Sequence, residues 1–148
     1  MPERVAIAAD HGGFDLKTLL VPELEALGFA VDDLGTDSRD PVDYPDFADR
    51  LARAITEGKV SRGVLICGSG IGMSMAANRH TAIRAALVHD GLTARLARQH
   101  NDANVLVMGG RLLGPELAKD CLKIFFSTPF DGGRHSRRVA KLSRNQGF

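Results

Sequence analysis

Cys67 stands where a thiol could do chemistry, at the junction of an apolar segment and a glycine-rich loop in VLICGSGIGMSMAAN. The residues before it are typical of a buried strand, and Gly68, Gly70 and Gly72 lead into a segment that favours a helix. Backbone N–H groups at a helix start bind anions, and the helix dipole favours a thiolate there. A thiolate could abstract a proton next to a carbonyl or attack as a nucleophile, while the loop stabilises the resulting oxyanion.

Each of these features also has a simpler interpretation. A buried cysteine usually packs as a small apolar residue, and glycines at this spacing can form only a tight turn. The loop matches neither G-x-x-x-x-G-K-[ST] nor the dinucleotide pattern G-x-G-x-x-G. The other cysteine, Cys121, lies inside a predicted helix and is expected in the core.

Two histidines could transfer protons near neutral pH. His11 follows Asp10 after the first predicted strand, and His100 precedes Asn101 at the end of a predicted helix. A histidine at a helix C-terminus can equally be a cap that the helix dipole favours. From the residues alone, both interpretations stay open for His100, and His11 is equally ambiguous.

A local basic segment, GGRHSRRVAKLSR, places Arg134 and Arg138 four residues apart on one helical face. With Arg111 from another loop, they could hold a phosphate dianion through paired hydrogen bonds. The segment could also be a solvated charged face. A nucleic-acid surface is not favoured, because no aromatic platform accompanies the arginines and the net charge is only +1.

The elements that must position these residues alternate between short apolar strands and amphipathic helices. This pattern predicts an α/β fold: a Rossmann-like, three-layer α/β/α domain with a five-stranded parallel sheet and an outlying C-terminal helix. Ligands of such sheets bind beyond the carboxyl ends of the strands, where the DHGG, CGSGIG and GGR loops fall. We predict strands at 4–9, 30–34, 63–67, 83–89 and 104–108, and helices at 15–27, 45–57, 72–79, 92–100, 115–126 and 134–145. Pro22 should kink or restart the first helix.

Bulk properties predict one domain over residues 1–148. The chain is 44% apolar and 25% charged, as soluble globular proteins are. It has no apolar run long enough to span a membrane and no signal-peptide pattern, so we expect a cytoplasmic protein without a membrane partner. Two distant cysteines argue against a disulfide framework and a structural zinc site.

Five segments together resemble one known family, the type B ribose-5-phosphate isomerases and their galactose-6-phosphate isomerase relatives. They are AADHGGFDLK, DYPDFA, CGSGIGMSMAANR, ARQHNDANVLVMGGR and GGRHSRRV, in order from Ala8 to about Val139. The resemblance implies an intramolecular oxidoreductase that interconverts an aldose phosphate and a ketose phosphate through a cis-enediolate. It also implies that no metal or nucleotide cofactor takes part.

The resemblance further implies a role for each matching residue. Cys67 would be the base that moves a proton between C1 and C2, and His100 would help to open the sugar ring. Members that lack the cysteine carry a glutamate where this chain has Met73. The enediolate oxygens would be held by the loop formed by Gly68, Ser69, Gly70, Ile71 and Gly72, with Ser69 where many members have threonine. Other substrate contacts would come from Asp10, His11, Tyr44 and Asn101, and phosphate contacts from Arg111, Arg134, Arg138 and His11.

Family resemblance also implies a dimer or tetramer whose site lies between two subunits, with His100 and the arginine tail acting across the boundary. Ribose 5-phosphate is the expected substrate, and a tetrose 4-phosphate or a galactose or allose 6-phosphate is the alternative. A protein that binds sugar phosphates without converting them is a further candidate. A thiol redox protein is less favoured, because no resolving cysteine lies nearby. We expect Cys67 to be partly exposed and next to backbone donors.

Overall fold

A computed structural model of the chain, which describes residues 1–143, has one parallel sheet of five strands. The strands are β1 (Arg4–Ala9), β2 (Ala30–Asp33), β3 (Arg62–Cys67), β4 (Ala85–Leu87) and β5 (Val105–Gly109). They lie in the order β2-β1-β3-β5-β4, and every pairing is parallel. The described helices are α1 (Phe14–Ala26), α2 (Tyr44–Thr56), α3 (Ile71–Asn78), α4 (Gly91–Asn101), α5 (Pro115–Ser127) and α6 (Arg134–Leu142). The predicted fold class is confirmed.

Alternate residues of the central strands face opposite sides of the sheet, and each side carries its own core. Val64 and Ile66 of β3 pack with α1, α4 and α5, while Leu65 and Cys67 pack with α2 and α3. Because both faces are covered, these strands are apolar at nearly every position. The Cys67 side chain therefore points toward the layer that contains the start of α3.

The order of the strands also decides where a crevice opens. From β1 the chain crosses to β2 on one side, and from β3 it crosses toward β4 on the other. Loops that leave β1 and β3 thus diverge at the carboxyl edge, and such a switch point is where ligands bind in open α/β sheets. Asp10 directly follows β1 and Cys67 ends β3, so both flank this crevice.

Three predicted elements differ from the structure. Helix α1 continues through Pro22 without a restart, one of the two outcomes predicted there, and Thr18, whose carbonyl can receive no hydrogen bond from Pro22, lines an open cleft beside it. Strand β4 has three residues instead of the predicted seven. The last helix ends at Leu142, and residues 144–145 of the predicted helix lie outside the described part of the chain. Within residues 1–143, no helix is long and apolar enough to cross a membrane.

Candidate active site

Loops after β1, β3 and β5 meet backbone to backbone at the carboxyl edge. The Gly110 N–H donates to the Cys67 carbonyl at 2.8 Å, and the Arg111 N–H donates to the Gly68 carbonyl at 3.0 Å. A Cβ atom on Gly110 would lie 2.5 Å from the Gly12 carbonyl oxygen, so no larger residue fits there without a shift. The glycines of these loops are therefore a packing requirement as well as a possible ligand surface.

Cys67 lies at the mouth of α3, as its position in the sequence predicts. Its Sγ accepts a hydrogen bond from the Gly70 N–H at 3.1 Å. Gly70 adopts a left-handed conformation with φ +82°, which turns its N–H back toward the sulfur. The expectation of a partly exposed thiol is wrong for the single chain, because Cys67 is only 4% exposed. It nevertheless lines the crevice, and its position at the end of a central strand accounts for its burial.

Side chains fix the backbone of the loop after β3 and of the loop after β1. Ser69 Oγ accepts a hydrogen bond from the Ile71 N–H at 3.2 Å. Asp10 Oδ1 accepts from the Gly12 and Gly13 N–H groups at 2.9 and 3.2 Å, which fixes the carboxylate beside the crevice. The Gly70 and Ile71 amides, both expected to face a substrate oxyanion, thus already donate within the loop.

The crevice has a volume of about 610 Å³, a size typical of small-molecule sites. Tyr44 begins α2 and reaches across to α3, since a Cβ on Gly72 would lie 2.5 Å from the Tyr44 ring. The Arg111 guanidinium lies over Gly68, with Nη1 3.2 Å from where a Cβ would stand. The lining residues are Asp10, Tyr44, Cys67, Gly68, Ser69, Ile71, Gly72, Met75, Arg111 and Leu112. We call these residues the crevice group.

His11 follows Asp10 of the crevice group in the chain, but its side chain does not line the crevice. The His11 Nδ1 accepts a hydrogen bond from the Val42 N–H at 3.1 Å. This bond joins the loop after β1 to the segment that leads into α2. Nδ1 therefore already has a partner, and Nε2 is the ring nitrogen that is left for a substrate.

Four predicted site residues lie on the opposite side of the sheet from the crevice, near the amino ends of the strands. Helix α4 starts beyond the carboxyl end of β4 and runs back, so its last residues, His100 and Asn101, lie near the amino end of β5. Helix α6 packs on α4, and the Asp131 N–H just before it donates to the Gln99 carbonyl at 3.1 Å. We call His100, Asn101, Arg134 and Arg138 the helix-end group.

Strand length separates these two groups. A strand of five or six residues spans roughly 17–20 Å, which is longer than a pentose phosphate. One substrate therefore cannot contact Cys67 and His100 of the same chain. Of the three arginines predicted to bind phosphate, only Arg111 lies at the crevice.

Sequence reasoning missed His135, the second residue of α6. Its imidazole ring stacks on that of His100, with the ring centroids 4.5 Å apart and the planes inclined by 14°. Burial lowers the pKa of His135, and nearby His100, Arg134 and Arg138 lower it further, while Asp131 acts in the opposite direction. The pairing depends on how α6 docks, so no local pattern in the sequence indicates it.

Buried Cys121 confirms the prediction for the second thiol. It is fully enclosed in the core formed with α5, and burial raises its pKa to about 11. Such a thiol is inert at neutral pH. Among the described residues, Cys67 is thus the cysteine placed for chemistry.

Comparison with known proteins agrees with the resemblance seen in the sequence. A model of the family described as Ribose/Galactose Isomerase matches residues 5–142. The chain belongs to the ribose/galactose isomerase family. Within it, ribose-5-phosphate isomerase B of Escherichia coli (strain K12) is 43% identical over 141 residues, 95% of each chain.

Two more members of the ribose/galactose isomerase family bear on the substrate and the fold. D-erythrulose-4-phosphate isomerase of Pectobacterium atrosepticum is 42% identical over 140 residues, 93% of this chain and 91% of that protein. The crystal structure of a ribose 5-phosphate isomerase from Thermotoga maritima has a TM-score of 0.92 and 50% identity, with 95% and 97% of the two chains covered. Membership makes the chain a sugar-phosphate isomerase, and the roles of its single residues stay predictions.

Proposed function

We propose that this protein interconverts ribose 5-phosphate and ribulose 5-phosphate, with Cys67 as the base. The observation that carries the proposal is the position of the Cys67 sulfur, which lines the crevice and accepts the Gly70 N–H at 3.1 Å. This hydrogen bond and the start of α3 place backbone N–H dipoles beside the sulfur. Arg111 adds a positive charge on the same wall.

The chemistry requires only the movement of protons. The thiolate removes the proton from C2 of the open-chain aldose, and the C–H electron pair forms the C1–C2 double bond of a cis-enediolate. The carbonyl oxygen on C1 takes the negative charge, which the N-terminal end of α3 stabilises. The proton on O2 passes to O1, the thiol returns its proton to C1, and C2 becomes the carbonyl of the ketose.

A second copy of the chain would complete the site. His100, Asn101, Arg134 and Arg138 lie a strand length from Cys67, so they reach a substrate there only from another molecule. Apolar side chains at the rim of the crevice support such a contact. Ile71, Met75 and Leu112 are 50%, 67% and 60% exposed in the single chain, although they are apolar. A homodimer with two shared sites satisfies both observations.

The presence of His100 favours a substrate that forms a ring. Ribose 5-phosphate closes through its C4 hydroxyl, so it needs a group that helps to open the ring. A tetrose 4-phosphate cannot form a five-membered ring, because its C4 oxygen carries the phosphate. The relative named D-erythrulose-4-phosphate isomerase, at 42% identity, keeps the tetrose phosphate as the second candidate. Galactose and allose 6-phosphates also form rings and are distinguished only by experiment.

Incubation in heavy water tests the proposal. Each of ribose 5-phosphate, erythrose 4-phosphate, allose 6-phosphate and galactose 6-phosphate is incubated with the protein, and deuterium on the sugar carbons is followed by NMR. Ribose 5-phosphate should give the highest kcat/KM, and Cys67→Ala should abolish the exchange. Preferred turnover of the tetrose would replace ribose 5-phosphate as the substrate. Tight binding of every sugar without exchange would indicate a binding protein, and normal exchange by Cys67→Ala would exclude the thiol as base.

A further inference from the structure

His135 contacts His100 through the faces of the two rings. The centroids are 4.5 Å apart and the planes are inclined by only 14°, so the rings are stacked. His135 is 9% exposed and holds its place as part of the docking of α6 on α4. The neighbour of His100 is thus a buried ring, on an element that has no other aromatic residue within its described range, Arg134–Leu142.

Stacking leaves the chemistry of His100 available. The nitrogens of imidazole lie at the edge of the ring, whereas the stacked contact uses the face. A partner that held His100 by a hydrogen bond would occupy one of its two nitrogens. His135 restricts the plane of the His100 ring, and no hydrogen bond within residues 1–143 occupies either of the His100 ring nitrogens.

Charge favours an uncharged His135 beside His100. Burial lowers the His135 pKa, and His100, Arg134 and Arg138 act in the same direction, with Asp131 opposing them. Two stacked imidazoles that both carried a positive charge would repel each other. A neutral aromatic face, in contrast, attracts a cation placed over it. A neutral His135 face therefore fits beside His100 without charge repulsion between the two rings.

A metal site does not fit this cluster. His100, Asp131 and His135 place ligand atoms within 4.8 Å of one another. A metal ion, however, lies near the plane of each imidazole that binds it, and two planes inclined by 14° share no such point nearby. Arg134 and Arg138 next to the cluster would also repel a cation.

We propose that His135 is a positioning residue that holds the His100 ring in the plane needed to open a cyclic sugar phosphate. Ring opening breaks the C1–O4 bond, removes a proton from O1 and adds a proton to O4. His100 would serve this proton transfer from a second copy of the chain, and His135 would act only through His100. This inference rests on the proposed function, since it assumes a substrate that forms a ring.

Two variants of His135 distinguish a role in positioning the His100 ring from a role in packing alone. His135→Leu fills the space without a flat face, and His135→Phe restores the face without a titratable nitrogen. Turnover of ribose 5-phosphate should fall about tenfold in His135→Leu, and His135→Phe should recover most of it. Proton exchange at C1 of ribulose 5-phosphate, which has no ring to open, should change less than about twofold in both variants. His89→Ala, an exposed histidine outside both groups, is the control that should match the wild type.

Proton NMR of His100 gives a readout that does not depend on catalysis. The His100 ring stacks on His135, so ring current should shift the signals of its two carbon-bound ring protons upfield in the wild type and in His135→Phe but not in His135→Leu. Equal loss of both reactions in His135→Leu, no loss of either, or an unmoved NMR signal would each overturn the proposal. Failure of the wild type to convert ribose 5-phosphate, with the NMR shift intact, would instead refute the proposed function.

Discussion

Gly70 connects the backbone conformation of the loop to the Cys67 thiol. Its φ of +82° aims the N–H at the sulfur, and a Cβ would lie 2.5 Å from the Leu87 side chain and 3.0 Å from the Met108 carbonyl carbon. Gly70→Ala should cost about 1–3 kcal/mol of stability. It should also lower kcat tenfold or more, because the donor to the thiolate moves. Urea unfolding and steady-state kinetics measure the two effects.

Gly58 provides a matched control for the backbone part of this effect. It also has a positive φ, +74°, but open space surrounds its Cβ position. Gly58→Ala should therefore lose only about 1–2 kcal/mol and keep its kcat. If both variants lost activity equally, the drop would reflect general destabilisation, and the special role of Gly70 would be refuted.

The last turn of helix α4 contains a buried arginine, Arg98, which fixes the segment that carries His100. Arg98 is 8% exposed, and its Nη1 donates to the Asp102 carboxylate at 2.9 Å and to the Ala103 carbonyl at 2.6 Å. Its Nε donates to the Thr128 carbonyl at 3.1 Å, so it also ties α4 to the end of α5. One side chain thus holds together three segments of the amino edge.

Removal of this guanidinium should be costly. Arg98→Met keeps the length of the side chain but loses the charged hydrogen bonds, and we expect a loss of about 2–3 kcal/mol in the free energy of unfolding. Arg95→Met is the control on the same helix, since Arg95 is exposed and, in the described part of the chain, its side chain hydrogen-bonds only to Gln99. That variant should stay within about 0.5 kcal/mol of the wild type. Comparable losses in the two variants would contradict the structural role of Arg98.

The docking of α6 should depend on pH through His135. The folded state lowers the His135 pKa below its usual value of about 6.5, so the unfolded chain takes up the proton more readily. The stability contributed by a neutral His135 is therefore complete above pH 6.5 and declines as the pH falls from there to the folded-state value. From pH 7.5 to 5.5, the wild-type melting temperature should fall more steeply than that of His135→Phe. Parallel curves would show that His135 titrates equally in both states.

The sequence predicted some elements better than others, for physical reasons. β1, β3 and β5 were located to within a residue, because strands buried on both faces are apolar throughout. β4 is shorter than predicted because it is an edge strand. There the Asn78 side chain donates to the Ala85 carbonyl and accepts from the Ala85 N–H, replacing a neighbouring strand. Such side-chain substitution depends on tertiary contacts that a hydrophobic pattern does not contain.

For the crevice group, too, the sequence could predict the features set by local pattern but not those set by tertiary contacts. Loops at the carboxyl edge could be identified because all parallel strands end there. The burial of Cys67 and the engagement of the Gly70 and Ile71 amides within the loop depend on the conformation of a few residues. The stacking of His135 on His100 depends on where α6 packs, which the sequence does not specify.

At the scale of the whole molecule, the two groups of site residues lie at opposite edges of one sheet. In the proposed dimer, each chain would carry half of two different sites, as two-fold symmetry requires. The crevice group of one copy would meet the helix-end group of the other. If the site is shared between two copies, a mixture of two inactive variants can regain activity. A site formed within one chain cannot be restored in this way.

Cys67→Ala and His100→Asn, each nearly inactive alone, should recover activity when unfolded and refolded together. Half of the dimers should be mixed, and each mixed dimer should contain one intact and one doubly altered site. The mixture should therefore reach about a quarter of the wild-type rate. A mixture of Cys67→Ala and Arg111→Ala should stay inactive, because both residues belong to the crevice of one chain. No recovery in the first mixture, or equal recovery in both, would refute the shared site, because only residues contributed by different copies can complement each other.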